Sequence, residues 1–311
     1  MLQIDGLTKR FGSFTAVDNI TFTVERGEVL GFLGPNGAGK TTAMRMVTGF
    51  LTPTSGNVLV SGFDTTTNPI EIKRRIGYLP EGAPLYEDMT PMELLNFIAD
   101  VRKISGAKKR EAIAKAASQI NIEQVLHQSI GTLSKGYKRR VGIAQAILHD
   151  PEVLILDEPT DGLDPNQKHE VRKLINEMAS EKVIVISTHL LDEVETVCSR
   201  AIVIAQGKIV ADATPAELEA QSIYFNTVTV RVSSDQGEKC RSEISSLKKI
   251  ERVEEDSSDK DSSVLTAFPK DGLKILEDIS AKLKSTNITV QEIRTERGHL
   301  DEVFRRITSV E

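Results

Sequence analysis

Residues 29–42 read VLGFLGPNGAGKTT, an apolar run that leads directly into a glycine-rich loop. The run 29–33 is typical of a buried strand, and the apolar positions within 41–49 predict a helix that begins at the end of the loop. The pattern GxxxxGK[ST] from Gly34 to Thr41 is that of a phosphate-binding loop. Glycine backbone lets successive N–H groups point at phosphate oxygens, and the following helix N-terminus adds partial positive charge. Strand, loop and helix together predict an α/β domain that binds a nucleotide.

Within this loop, we expect Lys40 to reach the β- and γ-phosphates and the Thr41 hydroxyl to ligate Mg²⁺. Thr42 is predicted to be a further phosphate contact. The alternative is a glycine-rich turn in a protein that binds no nucleotide, but the flanking strand and helix make a chance match rare. The residues predicted to contact the nucleotide here are Gly34, Pro35, Asn36, Gly37, Ala38, Gly39, Lys40, Thr41 and Thr42.

A second element, VLILDE at residues 153–158, is an apolar run followed by two carboxylates. It predicts a buried strand that delivers Asp157 and Glu158 at its carboxyl end, where α/β proteins bind ligands. Asp157 is predicted to bind Mg²⁺, and Glu158 to polarise the attacking water as a general base. A buried strand that ends in acidic residues is common by itself. The interpretation as a catalytic element therefore rests on its occurrence together with the phosphate loop.

The remaining pattern predicts two domains, at residues 1–218 and 222–311. In the first domain, strands alternate with helices, and residues from about 85 to 145 have helical periodicity that indicates a helical insertion. In the second domain, the predicted order βαββαβ indicates a small α+β domain of the ferredoxin-like type. The polar stretch 254–263 is predicted to be a mobile hairpin loop between two of its strands.

Composition narrows the class of protein. A formal net charge of -6 argues against a general affinity for nucleic acid. No stretch approaches the roughly 18–20 consecutive apolar residues of a membrane span, and the first residues lack the apolar core of a signal peptide, so a cytoplasmic protein is expected. Cys198 and Cys240 fit a reducing compartment and are predicted to be structural.

These motifs resemble those of the ATP-binding subunit of ATP-binding cassette (ABC) transporters, a P-loop NTPase family, over roughly residues 2–215. Four ordered matches are far more specific than any single motif. The matching segments are AVDNITFTVERGEVLGFLGPNGAGKTT at 16–42, IGYLPE at 76–81, LSKGYKRRVGIAQAILHDPEVLILDEPTDGLDP at 133–165 and ISTHLLDEVE at 186–195.

The resemblance implies roles for further residues. Phe11 matches the aromatic residue that stacks on adenine, with Val17 beside it; the alternative is that Phe11 belongs to the core. Ser134 and Gly136 match the ABC signature, which contacts the γ-phosphate of the nucleotide held by another subunit. A bare Ser-Lys-Gly would indicate only a helix-capping turn. His189 matches the switch histidine that contacts the γ-phosphate, although a histidine out of context is more often structural.

Asp164 matches the loop that crosses the dimer interface, and would otherwise be interpreted as the N-cap of the next helix.

Three positions depart from the family pattern. The signature has Lys135 and Tyr137 where a glycine and a glutamine are usual. Glu81 replaces a glutamine; its oxygen can still ligate Mg²⁺, but its charge repels the γ-phosphate and it cannot donate as an amide does.

The family further implies a function, with ATP and Mg²⁺ as cofactors. Two ATPase subunits, either a homodimer or this chain with a second ATPase subunit, would associate head to tail on the cytoplasmic face of the cell membrane. They would power a separate membrane permease, docked near residues 81–90; the alternative is that this patch is an ordinary solvated face. The C-terminal domain resembles the accessory domain of subunits that serve ABC-2-type exporters, including gliding-motility and drug exporters; it could serve dimerisation, regulation or plain stabilisation.

Two alternatives stay open. A non-transport ABC ATPase acting on a macromolecular complex would need a long coiled-coil insertion or a second fused cassette, and the sequence has neither. A nucleotide-binding regulator without turnover is disfavoured by the presence of Glu158 and His189.

Overall fold

A computed structural model of the chain describes residues 1–82, 84–256 and 261–309. The chain divides into two compact units, residues 1–215 and 216–311.

The first unit is built around a six-stranded sheet with the strand order β10-β9-β3-β8-β7-β6. Its strands are β3 (Val29–Leu33), β6 (Ile76–Leu79), β7 (Val153–Asp157), β8 (Val183–Thr188), β9 (Arg200–Ala205) and β10 (Lys208–Ala213). Strands β3, β6, β7, β8 and β9 are parallel, and β10 is antiparallel to β9. Strands β3, β7 and β8 are buried along their whole length, as expected for parallel strands covered on both faces.

This order makes β3, β8 and β7 direct neighbours. Their carboxyl ends therefore lie side by side, and the next strand, β6, ends beside β7. The segments that leave these four ends are the glycine-rich loop, His189, the pair Asp157-Glu158 and the segment that contains Glu81. The sheet thus collects at one edge the side chains that the sequence singled out separately.

A second, antiparallel sheet has the order β2-β1-β4-β5. Its strands are β1 (Leu2–Phe11), β2 (Phe14–Val24), β4 (Ser55–Val60) and β5 (Phe63–Asp64). The two sheets share one apolar core, in which the rings of Phe22 on β2 and Phe32 on β3 stack with centroids 5.7 Å apart. The turn between β1 and β2, at Gly12-Ser13, carries an aromatic residue on each side.

The helices of the first unit surround these sheets. They are α1 (Lys40–Val47), α2 (Pro69–Arg75), α3 (Pro91–Val101), α4 (Gly106–Gln119), α5 (Lys135–Ile147), α6 (Pro165–Ala179) and α7 (Leu191–Val197), followed by α8 (Pro215–Glu219) at the boundary of the units. Residues 85–145 contain α3, α4 and most of α5 and no strand. A capping box between Thr90 and Glu93 fixes the start of α3. In the described residues, no helix combines the length and the apolar character needed to cross a bilayer.

The second unit has the predicted order βαββαβ. Its elements are β11 (Val228–Ser233), α9 (Gly237–Ser245), β12 (Ile250–Asp256), β13 (Ser262–Pro269), α10 (Leu276–Ser285) and β14 (Val290–Thr295), followed by α11 (Leu300–Thr308). The sheet order β12-β13-β11-β14 is antiparallel throughout, which is the ferredoxin-like arrangement.

The loop predicted at 254–263 is shorter than expected. Glu254 and Glu255 pair with Thr266 and Leu265 as part of β12, and Ser263 belongs to β13. Ser263 Oγ also donates to Glu255 Oε1 at 2.7 Å, so cross-strand bonds hold these polar residues in the sheet. Polarity alone therefore gave the wrong boundaries, and residues 257–260 lie outside the described part. Cys198 and Cys240 are both buried and unpaired with each other, as expected for structural cysteines.

Candidate active site

A cavity of about 450 Å³ opens at the carboxyl edge of the six-stranded sheet. It is lined by Phe14, Ala16, Asn36, Gly37, Gly39, Lys40, Thr41, Thr42, Glu81, Asp157 and Glu158. The structure therefore brings most of the predicted phosphate-loop residues together with all three predicted carboxylates. Polar side chains that converge in one concave site are the usual form of a ligand site.

The glycines of the loop are required by its backbone. Gly37 and Gly39 have φ of 81° and 108°, in the left-handed region that other residues rarely adopt. A Cβ at Gly39 would collide with the Ala16 carbonyl, and a Cβ at Gly34 with the Ile204 carbonyl. No side chain caps the N-terminus of α1. The first amides of this helix are therefore left for an anion such as a phosphate.

The side chain of Lys40 lies inside the glycine-rich loop and binds its main chain. Its Nζ donates to the carbonyl oxygens of Gly34 at 2.6 Å and Pro35 at 3.2 Å, and its side chain is buried. Burial lowers the pKa of Lys40, while the nearby carboxylates, led by Glu158, act in the opposite direction. The lysine is thus a cation held at the floor of the loop, where β- and γ-phosphates are predicted to lie.

Asp157 ends β7 and Glu158 directly follows it; the Asp157 side chain is buried, and that of Glu158 is 12% exposed. Asp157 Oδ2 and Glu158 Oε2 are buried and have no hydrogen-bond partner within the described residues. Burial raises the pKa of both groups. Glu158 also has φ of 52°, and its N–H donates to the Ser187 carbonyl at 2.8 Å. An uncommon backbone conformation held in place by a neighbouring strand is frequent at functional sites.

His189 contacts the end of Glu158. Its Nδ1 lies 2.8 Å from Glu158 Oε1, and about half of the His189 side chain is exposed. A carboxylate can only accept, so Nδ1 carries the proton in this contact and Nε2 of a neutral ring is left as an acceptor. The hydrogen bond and charge of His189 oppose the rise that burial causes in the pKa of Glu158.

The residues present fit a magnesium ion. Thr41, Asp157 and Glu81 all line the cavity and offer hard oxygen donors, and the Asp157 oxygen without a partner is a free acceptor. The described residues contain no cluster of three or more His, Cys, Asp or Glu that could hold a metal by themselves. Phosphate and water oxygens would therefore complete the coordination, as is usual for Mg²⁺.

The two residues predicted to contact adenine, Phe11 and Val17, are not among those that line the cavity. Val17 is fully buried in the core beneath the loop, and Phe11 does not line the cavity. Phe11 is half exposed, so it is not a core residue, and the Lys9 ammonium lies 5.2 Å from its ring centroid. Phe14, on the other side of the turn, is 62% exposed and lines the cavity together with Ala16. The sequence signal for Phe14 was a second aromatic residue three positions after Phe11, across Gly12-Ser13.

Ser134 and Gly136 are not brought into this cavity. Ser134 is the N-cap of α5, with its Oγ accepting from the Tyr137 N–H at 3.3 Å, which is the capping geometry weighed for this motif. A Cβ at Gly136 would collide with the side chain of Gln167 on α6. The hydroxyl of Tyr137 accepts a hydrogen bond from Gln124.

Asp164 is the N-cap of α6 and accepts from the Gln167 N–H at 3.0 Å. Lys135 lines a separate groove with Asp161 and Gly162. The signature segment and the loop before α6 thus lie side by side at the surface of the first unit.

Comparison with known proteins identifies relatives. A family model described as "ABC transporter" matches residues 17–161. The bacitracin transport ATP-binding protein BcrA of Bacillus licheniformis is 41% identical over 214 residues, which are 68% of this chain and 69% of that protein. The probable multidrug ABC transporter ATP-binding protein YbhF of Escherichia coli (strain K12) is 37% identical over 71% of this chain, and the match spans 38% of that protein.

A solved structure has the same fold. The chain aligns with cbiO1 of Clostridium perfringens, described as part of the ABC transporter complex cbiONQ, with a TM-score of 0.64 and 30% identity. The alignment covers 71% of this chain and 90% of cbiO1.

Proposed function

Since this chain belongs to the ATP-binding proteins of ABC transporters, a family of ATPase cassettes, we propose that it binds and hydrolyses Mg²⁺-ATP as the motor subunit of a transport system. The observation that carries this proposal is the contact between Glu158 and His189 beside the cavity that contains Lys40. A binding module without turnover has no need of a buried carboxylate and a histidine at the γ-phosphate end of the site.

In the proposed reaction, the first unit holds the nucleotide. The phosphates lie on the amides of the glycine-rich loop and of α1, and Lys40 neutralises charge on the β- and γ-phosphates. Thr41, Asp157 and Glu81 would hold Mg²⁺, which when bound supplies charge stabilisation at the phosphates. The base of the nucleotide packs on the turn between β1 and β2, which carries Phe11 and Phe14.

Glu158 then acts as the general base toward the attacking water. Its raised pKa suits this role, because a base is most effective when its pKa approaches the working pH. His189 orients the Glu158 carboxylate through Nδ1, and in the protonated ring Nε2 is a second donor that contacts the γ-phosphate. The carboxylate oxygen without a partner is the atom that accepts the proton of the water.

We further propose that each site is composite. Ser134 and Gly136 do not line the cavity of their own chain, so they are free to contact the γ-phosphate held by another subunit. Two subunits associate head to tail, as a homodimer or with a second ATPase subunit. ATP favours the closed pair through contacts that exist only in that state, and hydrolysis removes them.

The coupled partner is proposed to be a separate membrane permease of the ABC-2 export type, with the chain at the cytoplasmic face of the membrane. BcrA is named for bacitracin transport, and cbiO1 belongs to a transporter complex. Residues 81–90 are the proposed docking surface. Tyr86 is exposed there, and its ring lies edge-on to the exposed Phe97, with centroids 6.2 Å apart. Exposed aromatic pairs are frequent at protein interfaces.

Residues 1–218 are proposed to be the ATPase domain and residues 222–311 an accessory domain for dimerisation, regulation or stabilisation. The alternative of a non-transport ABC ATPase would need a long coiled-coil insertion. Residues 85–145 do not support it, because the helices α3 and α4 have only 11 and 14 residues.

The function is tested by measuring ATP hydrolysis of the purified chain, alone and co-expressed with any multi-span membrane protein that a neighbouring gene encodes. We expect Mg²⁺-dependent ATPase activity that changes when the permease is present, and co-purification of the two proteins. Activity that is abolished by Glu158→Gln but never responds to any membrane partner would favour the non-transport reading. Absence of ATPase activity in both preparations would contradict the proposal.

A further inference from the structure

Arg139 lies in α5, five residues after Ser134, and its side chain is 6% exposed. The described hydrogen bonds of its guanidinium all go to main-chain carbonyl oxygens. Nη1 donates to Pro80 at 3.1 Å, Nε donates to Pro159 at 3.4 Å, and Nη2 donates to both Asp157 and Glu158. A planar group with five donors is therefore matched to four acceptors on two different segments of chain.

The two segments are those that carry the carboxylates of the cavity. Pro80 directly precedes Glu81, and the other three carbonyls belong to the turn that contains Asp157 and Glu158. This turn leaves the regular sheet, with Glu158 in the left-handed region at φ of 52°. The Glu158 carbonyl also accepts from the Asp161 N–H at 3.2 Å, and the guanidinium adds donors to this carbonyl and to those of Asp157 and Pro159, which helps to hold the turn in this conformation.

The positive charge of Arg139 also acts on the carboxylates of the site. Burial lowers the pKa of Arg139, and the carboxylates of Asp157, Asp161, Glu158 and Glu193 around it act in the opposite direction. A buried cation behind the carboxylates offsets part of their mutual repulsion, which favours their ionised forms. Lysine could carry the charge, but it could not bridge both segments with a rigid fork.

The position of Arg139 on α5 joins this turn to the signature segment. Ser134 caps the same helix, and five residues of α-helix correspond to about 7.5 Å along the axis. If Ser134 contacts a γ-phosphate held by another subunit, as the proposed function states, a shift of α5 reaches the Glu158 turn through one side chain.

We propose that Arg139 is a positioning residue that sets the geometry of Glu158 and Glu81, and that it links the nucleotide contacted by Ser134 to the hydrolytic site of its own chain. This inference rests on the proposed ATPase function. Arg139 does not contact the substrate. It acts through the carbonyl oxygens of the turn.

The test compares Arg139→Met with Arg140→Met in the full chain. Arg140 is the next residue of the same helix and is 7% exposed, but it bonds to Glu170 on α6 at 2.8 Å and to the carbonyl of Ile120, away from the cavity. The two substitutions therefore remove equally buried arginines and differ in what those arginines hold. ATP affinity, kcat, KM, the Hill coefficient for ATP and Tm are measured for each variant.

For Arg139→Met, we expect kcat to fall about 100-fold, as when a reacting group is misplaced by about 1 Å. ATP affinity should stay within about threefold of wild type, because Lys40 and the loop are untouched, and the Hill coefficient should fall toward one. Arg140→Met should lower Tm by a similar amount, yet keep kcat within about threefold. If Arg139→Met proves insoluble, Arg139→Lys decides, with an expected loss in kcat of about tenfold at unchanged affinity.

Equal kinetic effects of the two methionine variants would overturn the inference, as would a loss at Arg139 that is confined to ATP affinity. Neither result touches the proposed function if wild type hydrolyses ATP and Glu158→Gln does not. A wild-type chain that does not hydrolyse ATP would overturn the proposed function and, with it, this inference.

Discussion

His189 Nδ1 and Glu158 Oε1 lie 2.8 Å apart and join the ends of the neighbouring parallel strands β8 and β7. The contact fixes one oxygen of the carboxylate and leaves the other buried without a partner. Glu158 is consequently held in one orientation, with a free oxygen available for a water molecule.

Substitution of His189 should change the pH dependence of hydrolysis. Burial raises the pKa of Glu158 and the His189 contact lowers it, so His189→Ala should raise that pKa further. The base is then protonated at a higher pH, and the acid limb of the kcat profile moves to higher pH, with a loss in kcat of about 10- to 100-fold near neutrality. Kinetics between about pH 5 and 9 measure this shift. The exposed His169 on α6 provides the control, and an unshifted limb in His189→Ala would contradict the assignment.

Substitution of Lys40 should remove nucleotide binding but not the fold. At free ATP 100-fold above Kd, wild type should gain about 2.7 kcal/mol of stability. Lys40→Met removes the cation at the floor of the loop, so we expect less than about a third of the ligand-induced rise in Tm. The Tm without nucleotide should change little, because burial already disfavours the charged lysine. Lys173→Met, at an exposed position on α6, should keep the full response. A normal response of Lys40→Met to ATP would exclude Lys40 from the phosphate site.

Neutralisation of Asp157 should stabilise the nucleotide-free chain. Burial raises the pKa of Asp157 above that of an unfolded aspartate, and Glu81 adds to the rise. The folded state thus binds a proton more readily, and the stability this provides is lost as pH rises through the raised pKa. At pH 7, Asp157→Asn should raise the free energy of unfolding by about 1 kcal/mol and flatten its dependence on acidic pH. Thermal unfolding measured with the exposed Asp88→Asn as control checks this; a lower Tm for Asp157→Asn would contradict it.

The sequence was informative wherever function depends on local order along the chain. An apolar run followed by a polar segment predicted the strands β3, β7 and β8. Since parallel strands end at one edge of a sheet, the loop, Glu158 and His189 could be expected to meet there. The order of elements in the second unit followed from periodicity in the same way.

Contacts between residues that lie far apart in the sequence could not be predicted from motifs and periodicity. The guanidinium of Arg139 reaches carbonyls 18 to 59 positions away in the sequence, and no spacing rule indicates such a contact. The cavity wall at Phe14 depends on how the β1–β2 turn packs over the loop. The strands β12 and β13 extend into polar residues because ladder hydrogen bonds outweigh composition.

Glu158 is proposed to be the base in a site shared by two subunits, and Glu158→Gln tests both parts of that proposal together. With saturating Mg²⁺-ATP, this variant should run as a dimer by light scattering, revert to a monomer with ADP, and hydrolyse ATP at least about 100-fold more slowly than wild type. Glu152→Gln, which changes a glutamate at the other end of β7, should match wild type. A Glu158→Gln protein that turns over at the wild-type rate, or stays monomeric with bound ATP, would contradict the account.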